Sequence, residues 1–121
     1  MDYLVAAAPL TRYTDKLSDR EMQEIYLNFH VLGTPPPHVN NIERPYWLEP
    51  ERFAAILRRV QYHEQNDKRI LITIDDGNKS DVDIALPILA GFKRHASFFP
   101  CSSRMSKPGF VEAKDIIRLF N

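Results

Sequence analysis

Two adjacent carboxylates, Asp75 and Asp76, end one of the most apolar runs of the sequence, Ile70 to Ile74. In a parallel α/β sheet, binding and catalytic groups gather at the carboxyl ends of the strands. Successive residues leaving a strand point in different directions, so one acid could bind a cation while the other accepts a proton. A tight turn is the structural alternative, because Asp, Gly and Asn are common turn residues.

Two other kinds of protein also place acids after a strand. A phosphatase of the haloacid dehalogenase type needs Asp-x-Asp-Gly, and Ile74 stands where its first Asp would be. A receiver domain of two-component signalling carries an acidic pair after its first strand and is kept as the weaker alternative. It needs a further acid at a later strand end, where this sequence has Phe-Phe-Pro-Cys at residues 98–101.

Strands and helices that alternate along the chain would position the acids. Apolar and β-branched runs predict strands over residues 25–32, 69–74 and 96–100. Apolar residues at helical spacing predict helices beginning near Pro50, over residues 83–92, and along a last stripe made of Ala113, Ile116, Ile117 and Phe120. This alternation predicts an α/β fold with helical crossovers between parallel strands.

The chain divides into two parts on this interpretation. Residues 1–24 are an N-terminal extension in which Ser18 and Glu21 have capping-box spacing and predict a short helix. Residues 25–121 hold about three strand–helix units, too few to cover both faces of a parallel sheet or to close a barrel. We therefore expect a truncated domain with uncovered surfaces that favour self-association.

The composition excludes several classes of partner. The sequence has 16 basic and 16 acidic residues, so no overall charge attracts nucleic acid or an anionic membrane. Its single cysteine, Cys101, has no partner for an intrachain disulfide and no evident base beside it. The sequence contains neither a signal peptide nor an apolar run of the roughly 20 residues that a membrane helix needs, so a cytoplasmic location is the default expectation.

Several motifs, in order, resemble one known family. Ile-Thr-Ile-Asp-Asp-Gly-Asn-Lys-Ser at 72–80 resembles the Thr-Phe-Asp-Asp-Gly motif of the polysaccharide deacetylases, carbohydrate esterase family 4 with its NodB-homology domain. Ile-Ala-Leu-Pro-Ile-Leu at 84–89, Ala-Ser-Phe-Phe at 96–99 and the segment from Pro108 to Leu119 continue the likeness. Asn-Phe-His at 28–30 and Leu-Glu-Pro-Glu-Arg-Phe at 48–53 extend it upstream, so that it covers about residues 25–120.

The resemblance implies a fold, an activity and two site residues. The fold would be part of an irregular (β/α) barrel, usually built from about seven strands, and the activity would be removal of acetyl groups from N-acetylated polysaccharides or oligosaccharides. Asp75 would be the general base that activates water, and Asp76 would bind a divalent metal, usually zinc. Gly77 would permit a tight exit from the strand.

The sequence departs from the family at the metal site. The family completes that site with His-x-x-x-His, whereas no two of the four histidines here, His30, His38, His63 and His95, are four residues apart. Since zinc usually has three or four protein ligands, one carboxylate would bind it weakly. We therefore expect this chain alone to be inactive or nearly so, and a non-catalytic fragment that binds a glycan or a partner is the alternative.

Other side chains could contribute to such a site. His30 ends a predicted strand and faces the predicted site, although a packed or solvated histidine is the commoner situation. His63 closes a helix and is interpreted as structural, while His38 and His95 lie in polar loops. Tyr46 and Trp47 could line a sugar groove or anchor the proline-rich loop that precedes them.

Overall fold

The computed structural model describes residues 6–7, 23–64 and 68–120 of the chain. Strands alternate with helices along most of it. The main elements, in chain order, are β1 (Ala6–Ala7), β2 (Gln23–Phe29), β3 (Val31–Leu32), β4 (Trp47–Leu48), α1 (Pro50–Glu64), β5 (Lys68–Asp76), a π-helix (Asp81–Ala85), α2 (Leu86–Gly91), β6 (Ser97–Pro100) and α3 (Ala113–Phe120).

Four strands form the main sheet in the order β1-β6-β5-β2. β5 runs parallel to β2 and to β6, and only β1 is antiparallel to its neighbour. The helices α1 and α2 connect the parallel strands, which confirms the predicted α/β alternation. β2, β5 and β6 follow one another across the sheet in chain order, unlike the receiver arrangement, in which the first strand lies between the second and third. The described strands form an open sheet and do not close a barrel.

The helices cover one face of this sheet and form the core with it. Phe29 of β2 packs edge-on against Phe53 of α1, with ring centroids 5.0 Å apart. Burial of this apolar surface is the main stabilising contribution to the described fold. The buried apolar cluster consists of Leu32, Phe53, Leu57, Ile72, Ile74, Val82, Ala85, Leu89, Ala96, Phe98, Val111 and Leu119.

The helix α1 matches its sequence pattern closely. It begins at Pro50, where a proline loses no helical hydrogen bond, and it buries Phe53, Leu57 and Val60. At its other end, Glu64 forms an ion pair with Arg94, which also donates a hydrogen bond to the Ile70 carbonyl (3.0 Å). Of the helices in the described ranges, none has the length and hydropathy needed to cross a membrane.

The first predicted strand, residues 25–32, is two strands in the structure. β2 ends at Phe29, and β3 leaves the main sheet to pair with β4. The break falls at His30. After it, the Leu32 amide donates a hydrogen bond to the Ser80 hydroxyl (3.0 Å), and the Gly33 amide donates one to the Leu48 carbonyl (2.8 Å). The prediction of one continuous strand was wrong because an unbroken apolar run does not reveal that its end pairs with different partners.

The helix predicted over residues 83–92 begins earlier and in a different form. Residues Asp81–Ala85 form a π-helix, and the Leu86 amide donates to the Asp81 carbonyl five residues back. Regular α-helix follows in α2. Pro87 has no amide hydrogen to donate to the preceding turn, which is consistent with this change of helical form. Asp81 thereby enters the buried interior.

The face of α3 differs from the predicted stripe. The helix buries Asp115 and Leu119, whereas Ile117 and Phe120 are 63% and 60% exposed. The helical spacing predicted that both apolar side chains pack against the rest of the domain, but no described element covers them.

The predicted N-terminal extension, residues 1–24, is described only in part. Ser18 to Glu21, with the predicted capping box, lie outside the described residues. Ala6–Ala7 pairs with β6, and Gln23 and Glu24 belong to β2, so they do not continue the helix predicted over residues 18–24.

Candidate functional site

The two acids are the last residues of β5, not residues that follow it as the sequence predicted. Asp75 pairs with Phe99 and Asp76 with Pro100 in the register of the parallel strands. Asp76 has a φ of 79°, a left-handed conformation that aspartate tolerates better than most residues. The chain therefore turns sharply at the second acid, and both carboxylates remain at the carboxyl edge of the sheet.

Gly77 makes the close approach of β6 to this turn possible. Its φ is 69°, and a Cβ built there would lie 2.7 Å from Cβ of Pro100 and 2.8 Å from its Cα. No side chain fits at such distances, so the glycine expected from the sequence is required on both conformational and steric grounds.

His30 is in direct contact with the second acid. Its Nδ1 lies 3.1 Å from Oδ2 of Asp76, and the two side chains are 27% and 30% exposed. The ring also packs edge-on against Tyr46, with centroids 4.8 Å apart. The structure thus brings together a histidine and an acid that are separated by 46 positions in the sequence.

Arg104 approaches the other oxygen of the same carboxylate. Its Nη1 is 4.0 Å from Oδ1 of Asp76, and its guanidinium lies over the ring of Phe110 at 5.5 Å. Arg104 is not among the site residues predicted from the sequence. Its place just after β6, at the same edge as the acids, was the available signal.

A cavity of about 900 Å³ lies beside these groups. His30, Asp76 and Arg104 contribute to its wall, together with Tyr46 and Trp47. Tyr46 is 55% exposed, so its ring is available to a ligand. The aromatic pair predicted from the sequence as a candidate for a sugar groove therefore lines the same cavity as Asp76.

Asp75 does not line this cavity. Residues alternate between the two faces of a strand, so Asp75 shares with Thr73 the face of the sheet opposite the core residue Ile74. Thr73 accepts a hydrogen bond from the Asn28 side chain (2.8 Å) on that polar face. The two acids therefore have different surroundings: Asp76 lies at the cavity wall, and Asp75 lies on the polar face with Thr73.

A third acid lies close in sequence and buried in the fold. Asp81 is 1% exposed, and neither carboxylate oxygen has a hydrogen-bond partner among the described residues. Burial, together with the negative charges of Asp76 and Asp75, raises the pKa of Asp81 to about 8. The side chain is therefore mostly protonated at neutral pH. No pattern in the sequence indicates this buried acid, because its burial depends on the π-helix.

Hydrogen bonds join the segment after β6 to the turn that follows Asp76. The amide of Val111 donates a hydrogen bond to the Gly77 carbonyl (2.9 Å), and the amide of Lys79 donates one to the Gly109 carbonyl (2.9 Å). The Lys79 ammonium also pairs with the buried carboxylate of Asp115 at 2.6 Å. These contacts hold the loop that carries Arg104 against the turn that follows Asp76.

The donor set at Asp76 fits a divalent cation in part. An imidazole nitrogen and a carboxylate oxygen are both zinc ligands, and His30 and Asp76 present them at the cavity wall. Within the described ranges, no three His, Cys, Asp or Glu side chains converge as a metal site. Of the other histidines, His38 lines the same cavity, and His63 packs against Tyr62 in the last turn of α1.

The comparisons with known proteins support the fold alone. No protein-family model matches the sequence, and no curated protein matches it. Among solved structures, the fold is similar to that of the Streptococcus pyogenes deacetylase PplD in complex with acetate, with a TM-score of 0.61 and 16% sequence identity. The likeness covers 81% of this chain and 51% of that chain, so this chain spans about half the length of its structural neighbour.

Proposed function

We propose that this chain forms part of a metal-dependent deacetylase that removes acetyl groups from N-acetylated glycans, as an incomplete (β/α) barrel of the polysaccharide deacetylase type. The observation that carries the proposal is the position of Asp75 and Asp76 at the carboxyl end of a central parallel strand. The fold likeness to a deacetylase supports it.

The two carboxylates would have separate roles. Asp76, at the cavity wall beside His30, would hold the divalent cation, usually zinc in the family that the sequence resembles. A bound cation would supply Lewis-acid polarisation of the acetyl carbonyl. Asp75, the neighbouring residue at the strand end, would accept the proton of the attacking water. Arg104 would offer positive charge next to the reacting group.

The proposal is tested by binding and by acetate release. We expect oligomers of N-acetylglucosamine, added with zinc, to shift the NMR signals of residues around the cavity, and deacetylated oligomers to do so less. Because two protein ligands hold zinc weakly, we expect acetate release by the 121 residues to be slow or absent. Equal shifts with both oligomers, or shifts only at residues away from the cavity, would contradict the proposal.

Glycan binding without hydrolysis is the second candidate. It is favoured by the exposed ring of Tyr46 beside Trp47 in the cavity wall, because aromatic faces suit sugar rings. The two candidates differ in their dependence on Asp75 and zinc. Binding that requires zinc and the acetyl group, with any slow acetate release lost in Asp75→Asn, supports the enzyme. Binding that is indifferent to zinc, to the acetyl group and to Asp75→Asn supports the binding protein.

A further inference from the structure

Resting on the proposed function, we infer that His30 is the second protein ligand of the cation that Asp76 holds. The sequence offers no His-x-x-x-His motif, and the resemblance assigns no metal to His30. The inference comes instead from the geometry at the break between β2 and β3, where His30 meets the acidic turn.

The distance between the two donor atoms suits a shared cation. Nδ1 of His30 and Oδ2 of Asp76 are 3.1 Å apart. In a tetrahedral zinc site with bonds of about 2.0–2.1 Å, two ligand atoms lie roughly 3.3 Å from each other. Exchanging the hydrogen bond for a common cation therefore changes the separation of the two atoms by only a few tenths of an ångström and requires a rotation of the imidazole, so that both atoms point at the cation.

The surroundings leave room for such an exchange. Both side chains are about 30% exposed and line the cavity, so a cation can reach them without unfolding the site. The edge-on contact with Tyr46 holds the imidazole in place. The turn at Gly77 holds Asp76 in position, because the Gly77 carbonyl accepts a hydrogen bond from the Val111 amide. Two donors on separate parts of the chain are thus held together before any cation arrives.

The contrast with Arg104 separates a ligand from a charged neighbour. Arg104 lies 4.0 Å from the same carboxylate, but a guanidinium has no lone pair to offer a metal. Removing Arg104 takes away a positive charge that competes with the cation, so zinc should bind more tightly. If His30 were also only a charged or packing neighbour, removing it would strengthen zinc binding or leave it unchanged.

The experiment is zinc titration of the full 121-residue chain by calorimetry. We expect His30→Ala to weaken zinc binding about tenfold or more, Arg104→Gln to strengthen it a few-fold, and the matched control His63→Ala to leave it unchanged. His30→Cys, which restores a zinc ligand, should recover most of the lost affinity. In the wild type, zinc should move the ¹⁵N signal of the His30 Nδ1 and leave that of His63 in place.

The outcomes separate the two proposals. If Asp76→Asn abolishes zinc binding while His30→Ala does not weaken it, the inference about His30 is wrong and the proposed function stands. If the wild-type chain binds no zinc at Asp76, both are wrong. If His30→Ala does not fold, His30→Gln and the ¹⁵N signal of the wild-type His30 provide the test instead. Zinc affinity that is unchanged in His30→Gln, together with a ¹⁵N signal that zinc does not move, would overturn the inference.

Discussion

Asp81 and Asp115 are carboxylates buried to nearly the same degree, and they have opposite surroundings. Asp115, at 2% exposure, accepts hydrogen bonds from the Glu112 amide (2.8 Å) and the Lys79 ammonium (2.6 Å). Burial acts to raise the pKa of Asp115, but these bonds outweigh it and hold the pKa below its ordinary value. Asp81, at 1% exposure, has no such partner within the described residues, and its pKa is raised.

The difference separates an acid whose burial is compensated by hydrogen bonds from one whose burial is not. Asp115 closes the first turn of α3 and holds Lys79, so its burial is fully compensated. Asp81 is kept without compensation next to two other acids, which costs stability and is typical of functional sites. The extent of burial does not distinguish the two acids; the hydrogen-bond partners do.

The largest expected effect is a pH-dependent gain in stability for Asp81→Asn. Between the ordinary pKa of 3.8 and the folded value of about 8, the folded chain binds more protons at Asp81 than the unfolded chain. Its contribution to stability is therefore fully present below about pH 4 and falls by about 1.4 kcal/mol per pH unit up to about pH 8.

Urea unfolding of both proteins at several pH values measures this change. The free energy of unfolding of Asp81→Asn, minus that of the wild type, should rise steadily from pH 4 to pH 8. Parallel pH profiles for the two proteins would mean that Asp81 is partnered and resembles Asp115 after all.

Gly77→Ala should destabilise the turn that directly follows Asp76. A left-handed φ and a Cβ 2.7 Å from Pro100 together should cost about 3 kcal/mol. The matched control is Gly91→Ala at the end of α2, where a Cβ would meet nothing within 4 Å. Chemical denaturation of both variants provides the test, and equal stability of the two would contradict the packing described for the turn.

Asp115→Ala should lower the free energy of unfolding by about 2 kcal/mol, because two buried hydrogen bonds are lost. This sign is opposite to that of Asp81→Asn at neutral pH. Asp83→Ala, an exposed acid close to Asp81, should change stability by less than about 0.5 kcal/mol. Thermal unfolding at pH 7 compares the three variants, and a stabilising Asp115→Ala would remove the distinction between the two acids.

His30→Ala should have the smallest effect on stability, within about 1 kcal/mol, because its contact with Asp76 is partly exposed. A thermal scan without added metal measures it. A loss of several kcal/mol would assign His30 to the packing of the break between β2 and β3, with no need for a ligand role.

The sequence predicted the elements that surround the site better than the contacts within it. The apolar run that ends in Asp75 and Asp76 and the helix from Pro50 follow from local pattern, and the structure confirms the strand and the helix. The meeting of His30 with Asp76 depends on strand register, with Phe29 opposite Ile74, which the composition of the two strands does not encode. The burial of Asp81 depends on a π-helix, and helical periodicity gave no sign of it.

The central claim is that the strand end at Asp76 holds a divalent cation, and zinc titration of the 121-residue chain against Asp76→Asn tests it most directly. The account predicts about one zinc ion per chain, with zinc binding weakened at least tenfold in Asp76→Asn. The control variant Asp83→Asn, which changes an exposed acid of the π-helix, should bind zinc as the wild type does. Equal zinc affinity in the wild type and Asp76→Asn would contradict it.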